Sequence, residues 1–534
     1  MSAAGATAVT CALVLRSASH GTLIYWFGGW HPGNGIGLGI AFGVDAVGAS
    51  VALGVALITI AALFFAHRLF DDVGALFDVL VLVHLGAAVA FVYTADLFDL
   101  LVFYELTNVA EFALAGYRVT KRIAVRGAFN FAIATGFGAF AIIFGLTLLE
   151  GKSGQLNAAA IGESLLRAPS PVLAACAFGL IATGLLVKAA VPPFHFWFVD
   201  AQTAAPAPVG VLFSGVACVL GIYALERTWT TTFALVPGAR APVVHDVLAV
   251  LGVVAALLAA GLAFTSADLK RALAFAASAN TALLAAATVT AGDRSIAAAA
   301  CLAIGFVFPV AALAMWIGIL ENELGTVLDD DFGGRARILT PTIVLAALAI
   351  AGIAGVPPVP SALGRALLSG PLAFCSVVTG GLTAARFARA AWQAYGIAPA
   401  GEIVAPARDP GRWFLLGPAL ALAAAAFVAG AVPWPALAAA IVAFADPHAM
   451  AQALLHQPLP LPRPSLAQPR SGDVLLWAAA TLALAVVAAA VRGPIRKLAL
   501  VHRLHAVHNG SVGDYVTWLA GGAAAITAIF VVWR

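Results

Sequence analysis

One apolar stretch carries a lysine just before a pair of prolines, a combination that can move a proton. In LLVKAAVPPFHFWFVDAQTAAPAP (residues 185–208), a helix through Lys188 would meet Pro192 and Pro193 one turn later. Each proline clashes with the carbonyl four residues earlier, so the helix is predicted to break directly after the lysine. A broken helix at membrane depth survives where it is buried in protein or lines a wet cavity. The same cavity would hydrate the ammonium, which could then exchange its proton, and His195 just past the break is a second candidate for proton exchange.

The alternative interpretation of this stretch is a kinked helix whose lysine extends its charge to the membrane surface. That arrangement would need no proton exchange. The residues of this stretch alone leave both interpretations open.

A second stretch, DLFDLLVFYELTNVAEFALAGYR, places carboxylates inside another apolar segment. Glu105 lies near the middle of the predicted helix, with Asn108 as a polar neighbour. Glu111 is six residues further on, about 120° around the helix, so the two acids do not share a face. Buried carboxylates are costly unless they are paired or hydrated. Glu105 is either a proton or cation site or a structural carboxylate between helices, and Glu111 is interpreted as structural.

Three further ionisable residues occur in or beside apolar segments. Arg365 follows another proline-interrupted stretch, GVPPVPSALGRALLSG. It would stay protonated, so it suits a fixed charge or an ion-pair partner rather than a proton carrier. Asp45, in FGVDAVGAS, and His84 are each predicted to make a packing hydrogen bond in preference to a relay contact.

The composition indicates what kind of helices carry these residues. Of the 534 residues, 62% are hydrophobic and only 10% are charged, whereas soluble domains carry about 25% charged residues. Apolar runs long enough to span a bilayer recur along the whole chain, so the fold class is an all-α polytopic membrane protein. The 5 cysteines are scattered, and no metal site, phosphate loop or catalytic triad is predicted. A stand-alone enzyme is not indicated.

Hydropathy predicts about 14–15 transmembrane helices. The segments are residues 2–15, 38–66, 73–94, 97–117, 124–149, 171–191, 203–226, 244–265, 269–291, 295–320, 339–356, 375–396, 413–432, 474–491 and 512–533. Basic residues concentrate in the connections at 118–126, 270–271, 386–412 and 492–503, which lie on one side and are therefore predicted to be cytoplasmic. Residues 151–170 are predicted to form a polar loop on the opposite side.

Four regions follow from this order of segments. Residues 1–37 form a shortened N-terminal helix and a non-cytoplasmic loop, and residues 38–432 form the transmembrane core. Residues 433–473 are predicted to be a proline-rich linker, because QPLPLPRPSLAQPRSGD excludes a helix. Residues 474–534 supply two added transmembrane helices.

Several of these motifs together resemble a known family. ADLFDLLVFYELTNVAEFALAGYR is similar to the fifth-helix motif of the antiporter-like subunits of respiratory complex I, membrane-bound hydrogenases and Mrp-type cation/proton antiporters. LLVKAAVPPFHFWFVDAQTAAPAPVGVLFSGVACVLGIYALER is similar to that family's broken seventh helix and its eighth. FGGWHPGNGIGLGIAFGVDAVGAS, FTSADLKRALAFAAS and, more loosely, GVPPVPSALGR fit the same pattern. The resemblance covers roughly residues 16 to 430, and DLFDLLVFYE is nearest to the Mrp-D and hydrogenase-associated branch.

The resemblance implies a proton- or sodium-translocating subunit of a larger membrane complex in a prokaryotic plasma membrane, with no redox centre of its own. It also implies two inverted five-helix repeats with discontinuous helices. The family's fifth-helix glutamate pairs with its seventh-helix lysine, positions that match Glu105 and Lys188, and alternate pairing and separation shift the proton affinity of the lysine. The residues carried over are Glu105, Lys188, His195 and Arg365 for ion translocation, supported by Asp45, Asn108, Glu111, Pro192, Pro193 and Asp200.

The chain also departs from the family pattern. Val219 stands where the eighth helix commonly has a lysine, and Gly305 and Pro309 stand where the eleventh has a histidine and a lysine. Arg365 is the nearest candidate in the twelfth, and the family's first helix is predicted to be missing. Alternatives are therefore a degenerate structural or coupling subunit, or an ion-coupled partner of an inorganic-carbon uptake protein. Membership of a quinone- or hydrogenase-linked oxidoreductase stays open.

Overall fold

A computed structural model describes residues 1–33, 37, 39–69, 74–234, 236, 242–289, 293–396, 412–455, 466–496, 499–508 and 510–532. Parts of the predicted basic connection at 386–412, of the proline-rich linker and of the last basic connection lie outside the described residues. Within those residues the chain is almost entirely helical.

The first half of the chain forms a two-stranded hairpin and ten helices. The antiparallel strands are β1 (Leu23–Trp26) and β2 (Ala41–Val44), a small exception to the predicted all-α class. The helices are α1 (Ser2–Ala18), α2 (Ala46–Leu69), α3 (Ala75–Tyr93), α4 (Leu97–Ala115), α5 (Arg122–Ser153), α6 (Ala158–Arg167), α7 (Pro171–Lys188), α8 (Phe196–Ala204), α9 (Ala207–Leu212) and α10 (Cys218–Thr228). Two π turns, Phe213–Ala217 and Trp229–Phe233, continue α9 and α10 as one span.

The second half contributes twelve helices. These are α11 (Pro242–Thr265), α12 (Leu269–Val289), α13 (Asp293–Leu324), α14 (Pro341–Ala354), α15 (Pro360–Leu367), α16 (Gly370–Ala391), α17 (Arg412–Ala429), α18 (Trp434–Ala445), α19 (Pro447–Leu455), α20 (Ser471–Arg496), α21 (Ala499–Ala506) and α22 (Val512–Val532). Short 3-10 turns at Asp329–Asp331 and Arg335–Leu339 link α13 to α14.

The predicted polytopic membrane architecture is confirmed. Each predicted apolar segment coincides with a helix, and 10 helices among the described residues are long and apolar enough to span a membrane, or 11 with the bent pair α17–α18. The predicted count of 14–15 is higher, because it included the shorter α1 and α14, the acid-bearing α4 with Asp99, Glu105 and Glu111, and α12, whose first residues include Lys270 and Arg271. The two inverted repeats stay a prediction.

Two predicted connections contain helices. The predicted polar loop at 151–170 holds the end of α5 and all of α6, whose first turn is capped by the Asn157 side chain on the amides of Ala159 and Ala160. At 10 residues α6 is too short to span a bilayer, so a search for long apolar runs passes over it. The region predicted as a linker likewise contains α18 and α19, and α18 turns 89° from α17.

Both predicted proline breaks are present. The first separates α7 from α8 directly after Lys188, and the second separates α14 from α15 five residues before Arg365. Each break contains the same tripeptide, Val-Pro-Pro, at residues 191–193 and 356–358. The chain therefore brings two interrupted helices into one buried helical core, and these interruptions position the ionisable residues.

Candidate functional site

The buried face of α4 carries a row of polar side chains. Tyr104, Asn108 and Glu111 lie at spacings of four and three residues, which places them on one face of a helix. All three are at most 1% exposed. Asp96 caps the start of the helix by accepting hydrogen bonds from the amides of Phe98 and Asp99. The helix therefore presents one carboxylate to the protein interior at a fixed position.

Lys188, the last residue of α7, extends its side chain to this face of α4. The Lys188 ammonium donates to Glu111 Oε2 at 3.1 Å and to Asn108 Oδ1 at 2.8 Å. It also lies 5.5 Å from the centre of the Tyr104 ring, a cation–π distance. Lys188 is fully buried, so this contact is an ion pair inside the protein and not at its surface.

The lysine's partner differs from the predicted one. The family motif predicts that Glu105 holds Lys188, but the structure pairs Lys188 with Glu111, which the sequence alone suggests is structural. The reason is helical geometry: Glu111 shares a face with Asn108, whereas Glu105 is rotated about 120° from Glu111 and is only half-buried. Glu105 remains within electrostatic reach of the lysine. A buried glutamate–lysine pair is thus present with a different acid.

His84 on α3 completes the cluster. Its Nε2 lies 2.9 Å from Glu111 Oε1, so the two carboxylate oxygens of Glu111 face two different basic groups. His84 is fully buried, and Glu111 is 1% exposed. Sequence reasoning predicts only a packing hydrogen bond for His84 and misses its position beside the lysine's partner. The available signal was a lone histidine in the middle of an apolar segment.

The backbone around the lysine is held by neighbouring polar groups. The Tyr104 hydroxyl lies 3.2 Å from the carbonyl of Thr135 and 3.3 Å from that of Gly184. Beyond the break, the Trp197 indole donates to the Val187 carbonyl at 3.0 Å. The Tyr104 contacts join α4 to α5 and α7, and the Trp197 bond ties the last turn of α7 to α8.

The residues after the first break face the C-terminal helices. His195 Nε2 lies 3.0 Å from His508 Nε2, and Asp200 accepts hydrogen bonds from Asn130 at 2.8 Å and from Tyr515 at 3.1 Å. The structure therefore places His195 and Asp200 in a second polar cluster. An apolar cavity of about 520 Å³ adjoins it, lined by α7, α11, α12 and α22.

Asp45 forms a separate ion pair. Its Oδ2 lies 2.6 Å from the Arg227 guanidinium, and its Oδ1 accepts the amide of Gly48 at 2.8 Å. Arg227 also contacts the Tyr223 hydroxyl and lies 4.2 Å from the centre of the Phe444 ring. Asp45 thus caps α2 and fixes α10.

Arg365 binds backbone in the second break. Its guanidinium donates to the carbonyls of Ile353, at 2.8 Å, and Ala354, the last residues of α14. Arg365 is 3% exposed, and no acidic side chain pairs with it in the described part of the chain. It acts as a cap on carbonyls that the break leaves without helical donors.

Near the second break, the positions expected to carry relay side chains are Gly305 and Pro309, and neighbouring helices pack closely against both. A side chain at Gly305 would overlap the backbone nitrogen of Ser361, and Pro309 packs against Gly352. A polar cavity of about 20 Å³ between Asn280, Ser361 and Arg365 has room for roughly one water molecule. Val219 is an apolar residue within α10. Close helix packing explains why larger relay side chains are absent here.

No group of three or more histidine, cysteine, aspartate or glutamate side chains stands close enough to hold a metal ion within the described ranges. The contacts of Lys188, Glu111 and His84 are ion pairs and hydrogen bonds. Together, the fold and the buried lysine cluster define a polytopic membrane protein with broken helices and intramembrane charge pairs.

Comparison with known proteins identifies the family. Residues 94–380 match the model described as NADH:quinone oxidoreductase/Mrp antiporter, TM. This match spans more than half of the chain and includes both breaks and the Lys188–Glu111 pair, whereas His84 lies before it. The chain belongs to this family.

The chain has relatives among both kinds of protein that this description names, the quinone oxidoreductases and the antiporters. The chain is 28% identical over 317 residues to NADH-quinone oxidoreductase subunit N of Deinococcus radiodurans, covering 58% of this chain and 62% of that protein. It is 30% identical over 368 residues to one component of a probable K(+)/H(+) antiporter of Rhizobium meliloti, covering 66% of this chain and 35% of that one. The match thus spans less than two thirds of either relative.

A solved structure shows the same fold along nearly the entire chain. A chain of the Mrp complex from Dietzia sp. superposes with a TM-score of 0.65 at 20% identity, covering 99% of this chain and 93% of that chain. At this level of identity the likeness concerns the fold alone.

Proposed function

We propose that the chain is a proton- or sodium-translocating subunit of a larger energy-converting or cation/proton antiport complex in a prokaryotic plasma membrane. The observation that carries the proposal is the fully buried cluster of Lys188, Glu111 and His84 at the end of a broken helix. Ionisable groups at membrane depth are costly and commonly mark ion pathways. Family membership and bacterial relatives in both branches support the same conclusion.

The cluster can switch the proton affinity of the lysine. Lys188 holds its proton while Glu111 is ionised beside it and releases the proton more easily when the pair opens. At 4 Å and an effective dielectric of 20, an ion pair is worth about 4 kcal/mol. That energy changes proton affinity by a factor of about 10³. Opening and closing one pair is therefore sufficient to load and unload a proton.

His84 and Glu105 give Glu111 and Lys188 alternative partners. When Lys188 moves away, His84 still contacts Glu111 Oε1 and can neutralise the carboxylate. Glu105, about 9 Å along the helix from Glu111, can receive the displaced ammonium because it is half-buried and within its electrostatic reach. Glu105, the acid that the family motif predicts as the partner, is then the second carboxylate that binds the Lys188 ammonium.

The second break favours a competing role. Gly305 and Pro309 leave little space around α15, and Arg365 is engaged with backbone carbonyls. A subunit with one ion pair and a closed second half could transmit motion within a complex without conducting ions. A second form of this coupling role is that the chain acts as the ion-coupled partner of a separate inorganic-carbon uptake protein.

The test is ion flux through the complex that purifies with this chain. The tagged chain is isolated with its membrane partners, reconstituted into vesicles, and exposed to imposed proton and sodium gradients. We expect Lys188→Met and Glu111→Gln each to lower flux at least tenfold. Lys152→Met, which removes an exposed lysine at the end of α5, serves as the control and should conduct normally.

Two results would overturn parts of the proposal. Unchanged flux in both Lys188→Met and Glu111→Gln would contradict the ion-pair mechanism. A complete complex that carries no flux with the unmutated chain would assign it the coupling or structural role.

A further inference from the structure

The C-terminal segment, here residues 499–532 with α21 and α22, packs against the loop that follows the first break. Phe196 stacks on Tyr515 with ring centres 4.9 Å apart, and Gly522 lies against Phe194. On the connection between the two helices, the Gly510 carbonyl accepts from Arg126 at 3.2 Å. This connection is therefore fixed to the transmembrane core from several directions.

That packing places two histidines from distant parts of the chain in contact. His195 and His508 are 313 residues apart in sequence, yet their Nε2 atoms are 3.0 Å apart. His195 is 3% exposed and His508 is 9% exposed. Two nitrogens at this distance share one hydrogen, so one ring donates and the other accepts.

The hydrogen-bond network assigns the direction of that bond. His508 Nδ1 lies 3.3 Å from the Leu504 carbonyl, which can only accept, so Nδ1 carries the hydrogen. In a neutral ring the Nε2 of His508 then has a free lone pair and accepts from His195 Nε2–H. His195 Nδ1 then has the lone pair, and the Pro193 carbonyl beside the ring accepts a hydrogen bond from the ring when it gains a proton.

The charges around His508 keep its ring neutral. Burial, and then the positive charge of Arg271, lower the pKa of His508 to about 4. Arg271 also donates to the His508 backbone carbonyl at 3.2 Å, and His505 lies on the preceding turn. On the other side, Asp200 and Tyr515 bond to each other near the same rings. An uncharged His508 accepts a hydrogen bond from His195 at neutral pH, and it takes up a proton only as it releases its own.

We propose that His195 and His508 form a two-histidine proton relay through which the C-terminal segment connects the first break to the aqueous surface. A proton arrives at His195 Nδ1, the proton on His195 Nε2 passes to His508 Nε2, and the proton on His508 Nδ1 leaves to water. The proton count of the pair is unchanged after one transfer. The next transfer in the same direction requires both rings to turn.

This inference rests on the proposed ion translocation and adds a specific route for the proton. The route depends on a helix pair outside residues 94–380, the part matched by the family model. The cavity beside the relay is lined almost entirely by apolar side chains, so a water-filled path along that side is disfavoured.

The experiment compares His508→Ala with His505→Gln in the reconstituted complex. We expect His508→Ala to lower proton flux at least tenfold. His505→Gln changes a neighbouring histidine that contacts Thr265 at 3.0 Å, and it should leave flux within about twofold of the unmutated chain. Adding imidazole to the vesicles should restore at least a third of the flux lost in His508→Ala, because a small base can replace the missing ring. A purely structural role would not respond to imidazole.

The outcomes separate this inference from the proposed function. If Lys188→Met stops proton flux while His508→Ala conducts normally, the relay is wrong and the proposed function stands. If His508→Ala is inactive and imidazole restores nothing, the residue is structural and the relay is also wrong. His508→Gln, which retains a hydrogen-bonding side chain, should remain folded and inactive; normal flux in that variant would contradict the relay.

Discussion

The two proline breaks share the tripeptide Val-Pro-Pro but differ in the groups that bind the buried cation. At the first, Lys188 precedes the prolines and pairs with Glu111, which also contacts His84. At the second, Arg365 follows the prolines and donates to the carbonyls of Ile353 and Ala354. The lysine has a titratable partner that can release it, whereas the arginine is fixed to backbone. Similar interruptions of a helix can therefore produce an ion-exchanging site or a static cap.

The packing of the neighbouring helix reinforces this contrast. Around the second break, Gly305 lets α15 approach α13 so closely that no side chain fits between them. Around the first break, α4 supplies polar side chains over two turns. The comparison predicts that changes at the first break alter both stability and flux, and that changes at the second alter stability alone.

The largest expected effect is the loss of one member of the buried ion pair. Lys188→Met leaves Glu111 buried without its ammonium, and removal of one partner of such a pair costs about 3–5 kcal/mol. The double variant Lys188→Met/Glu111→Gln should recover at least about half of that free energy of unfolding while remaining inactive in flux. Denaturant titration in mixed micelles measures the stability. Equal stability of the single variant and the unmutated chain would show that the pair is not formed.

The second prediction separates the two glutamates of α4. Glu111→Gln keeps a side-chain oxygen that can accept from Lys188, so it should lower the free energy of unfolding by about 1.5–3 kcal/mol, the range for hydrogen bonds to charged groups. Glu105→Gln, at a half-buried position, should change it by less than about 1 kcal/mol. The same titration checks both variants. A larger loss in Glu105→Gln would favour the pairing that the family motif predicts.

The third prediction concerns close packing at the second break. Gly305→Ala introduces a methyl group against Ser361 and should destabilise the protein by about 1–3 kcal/mol. Gly261→Ala in α11 is the matched control, because nothing lies within 4 Å of its added methyl group. That control should be neutral or stabilising by up to about 1 kcal/mol. Similar behaviour of the two variants would contradict the proposed closure around α15.

The smallest expected effect is at His84. His84→Gln retains a donor near Glu111 Oε1, so we expect a loss of only about 1 kcal/mol in stability. Flux should fall severalfold, because glutamine does not take up a proton when Lys188 leaves. Flux equal to that of the unmutated chain would assign His84 a packing role, as its sequence context suggests.

Much of this site is predictable from local sequence. The break after Lys188 follows from the geometry of proline, and the amphipathic spacing of Asn108 and Glu111 follows from the helical repeat. Local sequence does not determine which side chains meet across helices, so the choice between Glu105 and Glu111 needed the position of the Lys188 ammonium relative to α4. The contact between His195 and His508 joins residues 313 positions apart and has no local signal. The short helix α6 was missed because its apolar face is too short to resemble a span.

The most direct test of the contrast between the two breaks is ion flux in reconstituted complexes carrying Lys188→Met or Arg365→Gln. Both variants remove a buried cation near a Val-Pro-Pro break, but only Lys188→Met leaves a carboxylate without its partner. We predict at least a tenfold loss of flux for Lys188→Met and less than a twofold loss for Arg365→Gln, measured per correctly assembled complex. Equal losses, or a greater loss for Arg365→Gln, would contradict the assignment of ion exchange to the first break.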